Sequence, residues 1–185
     1  GLAVHMDGAR FANAVAASGE SPADLTWRSG VDVLSFGGTK NGCWAAEAIV
    51  VFAPAKLRDL AARRQRAGHT FSKARFVAAQ FDAYLSEGNW LRYAAHANRM
   101  SDLLRSGIAQ SGRGRLAWVS EANEVFAIIA TESLARIRAQ GGSAYEWPVD
   151  ALPPDLRPGA DEVLVRLVTS WANTEDDVGR FVSLL

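Results

Sequence analysis

The sequence predicts an α/β protein built in two parts, and three observations lead there. Apolar runs of strand length alternate with helix-patterned segments over the opening third of the chain. Two of those runs end in glycine-bearing loops that each carry a chemically distinctive residue, at the strand ends where open α/β sheets bind ligands. After Gly68 the pattern changes to two long amphipathic helices, then alternates again to the C-terminus.

Taken in order, residues 2–6 predict a buried strand. Residues 8–18 are alanine-rich and predict a helix with Gly19 as its C-cap. Ser21-Pro22-Ala23-Asp24 opens a short helix to Arg28, with Ser21 capping and Pro22 at the first helical position. Residues 31–36 and 48–52 are the second and third strands. Pro54 opens a helix that runs to Arg66, with basic residues gathered toward its end. These strands are expected to form part of a parallel sheet, which needs cover on both faces. The chain opens on Gly1 and enters its first strand almost at once, so it is expected to be the later part of a larger fold.

Residues 72–85 and 89–110 predict two helices separated by Ser86-Glu87-Gly88, with apolar residues recurring at helical spacing (Phe76, Ala79 and Ala83, then Leu91, Ala94, Ala95, Met100, Leu103 and Leu104). Strands follow at 116–119 and 125–130. A helix over 132–140 ends at Gly141, and residues 143–147 are a short strand. A proline-rich connector spans 148–161. The last strand covers 163–169, and Thr174-Glu175-Asp176-Asp177 starts the final helix with a capping-box pattern. The expected division is residues 1–75 as part of a large ligand-binding domain, 76–110 as linking helices, and 111–185 as a small α+β domain.

Composition narrows the function classes. Apolar residues make up 49% of the chain and the formal net charge is zero, as in globular proteins generally. That balance favours neither nucleic acid nor an anionic membrane as a partner. No apolar run is long enough to span a bilayer, and the opening residues lack the basic-then-apolar pattern of a secretory signal. Cys43 is the only cysteine, so no internal disulfide can form, and a reducing cytoplasm is the expected compartment. The three histidines are scattered, with no HExxH or CxxC spacing, so no metal centre is expected.

The chemistry centres on Ser35-Phe36-Gly37-Gly38-Thr39-Lys40-Asn41-Gly42, which sets one lysine at a strand end. Lysine is the side chain whose amine condenses with an aldehyde. His5-Met6-Asp7-Gly8-Ala9-Arg10 sets an acid at another strand end, one strand–helix unit earlier. A pyridoxal phosphate site needs both groups, the amine for the aldehyde and a carboxylate to keep the pyridine nitrogen protonated. Each residue also has an ordinary reading. Lys40 reads as a surface lysine in a flexible loop, and Asp7 as a helix N-cap.

Together these two stretches resemble the low-specificity L-threonine aldolases, which belong to the β-eliminating lyase group of fold type I pyridoxal phosphate enzymes. Ala67-Gly68-His69-Thr70-Phe71-Ser72-Lys73-Ala74-Arg75-Phe76 and Val165-Arg166-Leu167-Val168-Thr169-Ser170-Trp171 agree with the resemblance. It runs along essentially the whole chain, but over only the second half of a full-length family member. It implies the pyridoxal phosphate transferase-like fold, with a partial large-domain sheet followed by a small C-terminal domain. It also implies cleavage of a β-hydroxy-α-amino acid substrate (threonine, allo-threonine or phenylserine type) to glycine and an aldehyde. The assembly implied is a homodimer or homotetramer.

By the same resemblance Lys40 carries pyridoxal 5'-phosphate, Asp7 meets the pyridine nitrogen and Ala9 packs on one ring face. Simple helix packing is the other reading of Ala9. Arg10 and Arg166 are candidates for the substrate α-carboxylate, since a guanidinium offers paired donors to two oxygens. Arg166 interrupts an apolar strand, so burial there calls for an anion, either substrate or a structural ion-pair partner. Arg10 otherwise reads as a solvated residue of a first helical turn. Arg75 and Thr39 are candidates for the cofactor phosphate. Arg75 reads equally as a solvated helix residue, and Thr39 as a loop hydroxyl bonded to nearby backbone. His5 should share the strand face of Asp7. The resemblance also implies that the histidine that stacks on the cofactor and the glycine-rich phosphate turn are to be expected in the first half of a full-length family member. Two other readings stay open: another pyridoxal phosphate-dependent β-eliminating lyase, and a non-catalytic subunit that keeps the fold.

Overall fold

The computed structural model describes residues 1–150 and 152–185, and the chain divides into two compact units, Gly1–Ala95 and His96–Leu185. The boundary falls inside one long helix, Asn89–Ser111, so each unit owns part of it.

The first unit is a three-stranded sheet with helices against one face. Its strands are β1 (His5–Gly8), β2 (Val33–Gly37) and β3 (Glu47–Val51), in the order β1-β2-β3. Helix α1 (Phe11–Ser18) connects β1 to β2, and α2 (Leu60–Arg66), α3 (Ala74–Leu85) and the start of α4 (Asn89–Ser111) follow β3. β1 and β2 run parallel, with Asp7 opposite Ser35, as a crossover through a helix requires. β3 runs antiparallel to β2, which corrects the expectation of a parallel sheet. The connection from β2 to β3 is a short loop, 38–46, with no room for a crossover helix, so the chain must turn straight back.

Alternation along the strands sorts the side chains by face. Leu34 and Phe36 join Phe11, Val15 and Tyr84 in the core, with Met6, Ala48, Val50, Phe81 and Trp90 packed around them. Phe36 is the centre of an aromatic cluster. Its ring stacks on Phe81 at 5.8 Å and meets Trp90 at 6.0 Å and Phe11 at 6.2 Å edge-on. Truncating such a ring to alanine costs roughly 3–5 kcal/mol. The opposite face carries His5, Asp7, Ser35 and an exposed Ile49.

The second unit is an antiparallel sheet in the order β4-β5-β7-β6, formed by Gly114–Leu116, Glu124–Ala130, Glu162–Val168 and Tyr145–Glu146 respectively. On one face Val125, Ala127, Ile129, Val165 and Leu167 pack with Met100, Leu104 and Ile108 of α4, with Leu134 and Ile137 of α5 (Thr131–Ala139), and with Val178 of α6 (Glu175–Ser183). On the other face Ile128 and Leu164 pack with Ala117, Trp118 and Phe126. The predicted capping box of α6 is present. Asp177 N–H donates to Thr174 Oγ1 at 3.2 Å, and Thr174 N–H donates to Asp177 Oδ2 at 2.9 Å.

Several expected elements are redrawn. β1 lies at His5–Gly8 rather than 2–6; Leu2 and Val4 are exposed, and α1 starts only at Phe11. Residues 21–28 form turns ending in a 3₁₀ helix at Trp27–Ser29 instead of an α-helix. There Thr26 Oγ1 donates back to the Pro22 carbonyl at 2.6 Å, a local bond that competes with regular helix. The helix expected from Pro54 to Arg66 is broken into a 3₁₀ turn, Pro54–Lys56, and α2, because Asp59 sits in the left-handed region at φ 57°. Between α3 and α4, Glu87 (φ 52°) and Gly88 (φ 71°) also leave helical geometry. The connector over 148–161 holds one 3₁₀ turn, Pro154–Leu156, and includes residue 151, which lies outside the described residues. Among the described residues no helix is long and apolar enough to cross a membrane, and no three potential ligand residues cluster as a metal site would need.

Candidate functional site

Because β1 and β2 run parallel, their C-terminal ends open on the same end of the sheet. β1 delivers Asp7, and β2 runs into the turn that holds Lys40. Asp7 is exposed, and its Oδ1 accepts the Ala9 N–H at 3.0 Å. That is an Asx turn, a side chain bonding its own backbone two residues on, and it bends the chain off the strand before α1 begins. His5 shares the face of Asp7, as expected. Its Nε2 lies 2.8 Å from the hydroxyl of Ser35, the residue opposite Asp7 in the ladder.

Missing Cβ atoms let the two loops touch. A Cβ on Gly37 would lie 2.9 Å from both the Cα and the carbonyl oxygen of Ala9. A Cβ on Gly8 would lie 2.6 Å from the Ser35 carbonyl, and one on Gly38 would lie 2.8 Å from Cys43 Sγ. Real Cβ atoms essentially never approach other atoms this closely, so close packing of these segments depends on glycine. The Asp7–Ala9 turn and the lysine loop are thereby joined backbone to backbone.

The lysine sits in a 3₁₀ turn, Thr39–Asn41, with its side chain exposed. Its neighbour Asn41 points the other way and is 2% exposed. Asn41 Nδ2 donates to Tyr84 Oη at 2.6 Å and to the Trp90 carbonyl at 2.8 Å. Burial pushes the Tyr84 phenol up to about 12, against the lowering effect of its bond with Asn41, so Tyr84 stays neutral. Gly42 then reverses the chain at φ 113°, a conformation that favours glycine. Ala45 N–H donates to Gln80 Oε1 at 3.0 Å. Burial, and secondarily the charge of Glu47, push the half-buried Cys43 thiol up, which argues against a thiolate nucleophile.

The other candidates fall in three places. Arg10 lies at the N-cap of α1, directly after the Asp7–Ala9 turn. The Thr39 hydroxyl accepts the Ala46 N–H at 3.1 Å and donates to the Ala46 carbonyl at 3.4 Å, the local bonding that its ordinary reading predicts. Asp7, Ala9, Arg10, Thr39 and Lys40 are thus gathered at one end of one sheet. Arg75 is exposed in the first turn of α3, with its guanidinium 4.7 Å from the Phe76 ring centroid. Arg166 belongs to the second unit. Its Nη2 lies 3.3 Å from Glu124 Oε1, and its guanidinium lies 5.1 Å from the Trp147 ring centroid. Arg166 is half-buried, and an anionic partner for it is present within the unit. Its Nε is buried and has no hydrogen-bond partner among the described residues. Asn41, Gln80 and Tyr84 were not legible as site residues, because their pairing joins positions 35 to 43 residues apart.

The profile of the beta-eliminating lyase family matches residues 1–132. A low specificity L-threonine aldolase from a Pseudomonas species is 46% identical over 147 residues, 80% of this chain and 42% of that protein. The solved structure of a threonine aldolase from Leishmania major superposes with a TM-score of 0.85 at 26% identity, over 100% of this chain and 51% of that one. An omega transaminase from Pseudomonas jessenii superposes with a TM-score of 0.56 at 17% identity, over 99% of this chain and 42% of that one, and so speaks to the fold alone. The chain thus spans about 42% of the length of the curated relative it matches. The fold class expected from sequence, the large-domain and small-domain fold of type I pyridoxal phosphate enzymes, is the fold these structures share.

Proposed function

Because this chain belongs to the beta-eliminating lyase family, we propose that it serves a pyridoxal phosphate-dependent aldol cleavage, splitting a β-hydroxy-α-amino acid of the threonine, allo-threonine or phenylserine type into glycine and an aldehyde. The single observation that carries the reading is the contact of Gly37 with Ala9, which ties the Lys40 loop to the Asp7 turn.

The donor set suits the cofactor. An exposed carboxylate at the end of β1 and an exposed primary amine in the turn just after β2 leave the same end of one sheet. When bound, pyridoxal phosphate supplies an electron sink for the charge left on the substrate α-carbon. Lys40 would hold the cofactor's aldehyde carbon through Nζ. The Asp7 carboxylate would keep a proton on the ring nitrogen, and the Ala9 N–H already fixes the orientation of that carboxylate. Ala9 would support one ring face. Thr39 and Arg75 are proposed for the phosphate, and Arg10 and Arg166 for the substrate α-carboxylate, where a guanidinium's paired donors fix both charge and angle. A cytoplasmic, homodimeric or homotetrameric enzyme is proposed with this activity, and light scattering of the purified enzyme that shows a stable monomer would remove the assembly.

Product analysis tests the function. Incubation with threonine and phenylserine is expected to give glycine with acetaldehyde and benzaldehyde respectively. Pyruvate or another 2-oxo acid with ammonia would instead assign a β-elimination. Absence of any product, with the cofactor not retained, would favour a non-catalytic subunit.

A further inference from the structure

We infer that Gln80 and Tyr84, one turn apart on α3, are positioning residues that hold the loop bearing Lys40, an inference that rests on the functional reading above. The loop that follows Gly37 contains Gly38 and Gly42, the residue type whose backbone is least restricted. The loop is closed by backbone bonds of its own, Gly38 N–H to the Ala46 carbonyl at 2.9 Å and Cys43 N–H to the Gly38 carbonyl at 3.1 Å, and it is tied to α3 besides. Alternate loop residues reach the same face of that helix. Asn41 Nδ2 donates to Tyr84 Oη at 2.6 Å, Cys43 Sγ lies 3.9 Å from the Gln80 carbonyl, and Ala45 N–H donates to Gln80 Oε1 at 3.0 Å. Gln80 is itself pre-oriented, since its Nε2 donates to the Phe76 carbonyl one turn back at 3.1 Å. Tyr84 is 3% exposed and Asn41 2%, so neither partner can exchange its bond for water without opening the core. The anchors begin at the residue after Lys40 and continue through Ala45, and a reactive group on a loop keeps its geometry only when its supports are locked.

The test uses the full-length enzyme loaded with pyridoxal phosphate and the variants Tyr84→Phe and Gln80→Ala. In Gln80→Ala the Ala45 amide is expected to exchange hydrogen faster, in both the apo and loaded forms. In Tyr84→Phe, cofactor affinity by equilibrium dialysis is expected to fall about fivefold, the effect of losing one neutral hydrogen bond. In both variants the visible band of the lysine-bound cofactor should shift or weaken, and kcat should fall while KM stays unchanged. A lower Tm with the band, affinity and kcat all at wild-type values is what a packing role alone produces, and it overturns the inference. If Tyr84→Phe does not fold, Gln80→Ala decides the matter alone. Failure of the wild-type enzyme to form the band overturns the functional reading and this inference together, whereas a normal wild-type band with unaltered variants overturns the inference only.

Discussion

Gly37 and Ala9 meet backbone to backbone, closely enough that one added carbon would sit 2.9 Å from the Cα and the carbonyl oxygen of Ala9. Both partners at that contact are main chain, so no side-chain rotation can relieve it. Gly37→Ala is therefore expected to part the two loops at a cost of about 1–3 kcal/mol. A lower urea midpoint with weaker cofactor retention is the expected result. An unchanged midpoint and unchanged retention would show that the loops are not coupled there.

Lys40→Ala is expected to abolish covalent labelling when the enzyme is incubated with pyridoxal phosphate and reduced with borohydride. The turn is held by Asn41 rather than by Lys40, so the fold should survive, with Tm near the wild-type value. Persistent labelling of the variant would move the attachment site elsewhere.

Arg166 presents two separable roles. If its fork binds the substrate carboxylate, Arg166→Lys should lower kcat/KM about a hundredfold, on the order of 2–3 kcal/mol, with cofactor retained. If the bond to Glu124 is its whole purpose, Glu124→Gln should reproduce the loss. The expected pattern is a large kinetic effect for Arg166→Lys and a small one for Glu124→Gln. Equal losses in both, accompanied by equal drops in Tm, would leave Arg166 as an ion-pair strut.

The pair of Arg115 with Glu162 adds a small acid-sensitive contribution to the second unit. Hydrogen bonds from Arg115, then from the Gly159 N–H, hold the Glu162 carboxyl at about 2 instead of the usual 4.5. The folded value is the depressed one. The contribution is therefore complete above the unfolded value and is lost as pH falls from about 4.5 through about 2. Exposure to solvent keeps it small. Glu162→Gln should flatten stability against pH in that window alone, as followed by urea titration. A variant that follows the wild-type curve throughout it would show that the pair contributes nothing.

Much of the fold could be read from local signals. The Thr174 capping box, the Gly141 helix end and the alternation of Val125 to Ile129 each need only a few neighbouring residues, and each is present. The failures have equally local causes. Pro54 is a helix starter, but Asp59 adopts a left-handed conformation that no residue type in the stretch announces. The direction of β3 is set by loop length, which an apolar strand does not encode. At the candidate site, Ala9 rests on family resemblance alone, whereas the strand-end placement of Asp7 and Lys40 was legible from the apolar runs and glycines. Asn41 was not, since it looks like any loop asparagine until Tyr84 and Trp90 are brought to it from 43 and 49 residues away. Arg166 was legible as an anion seeker, while Glu124, on the adjacent strand, was not legible as the anion.

The burial of Asn41 also bears on how this protein ages. An asparagine followed by glycine is chemically short-lived in a slack chain. The next backbone nitrogen attacks its side-chain carbonyl, ammonia leaves, and water then opens the resulting ring to an acidic residue. Asn41 and Gly42 form such a pair, yet the leaving nitrogen is committed to two acceptors and shut away from water. Deamidation at this position thus requires the loop to open, and the mass of the tryptic peptide spanning it records the accumulated time spent open. Stored enzyme and enzyme incubated in mild denaturant should diverge in that mass well before they diverge elsewhere.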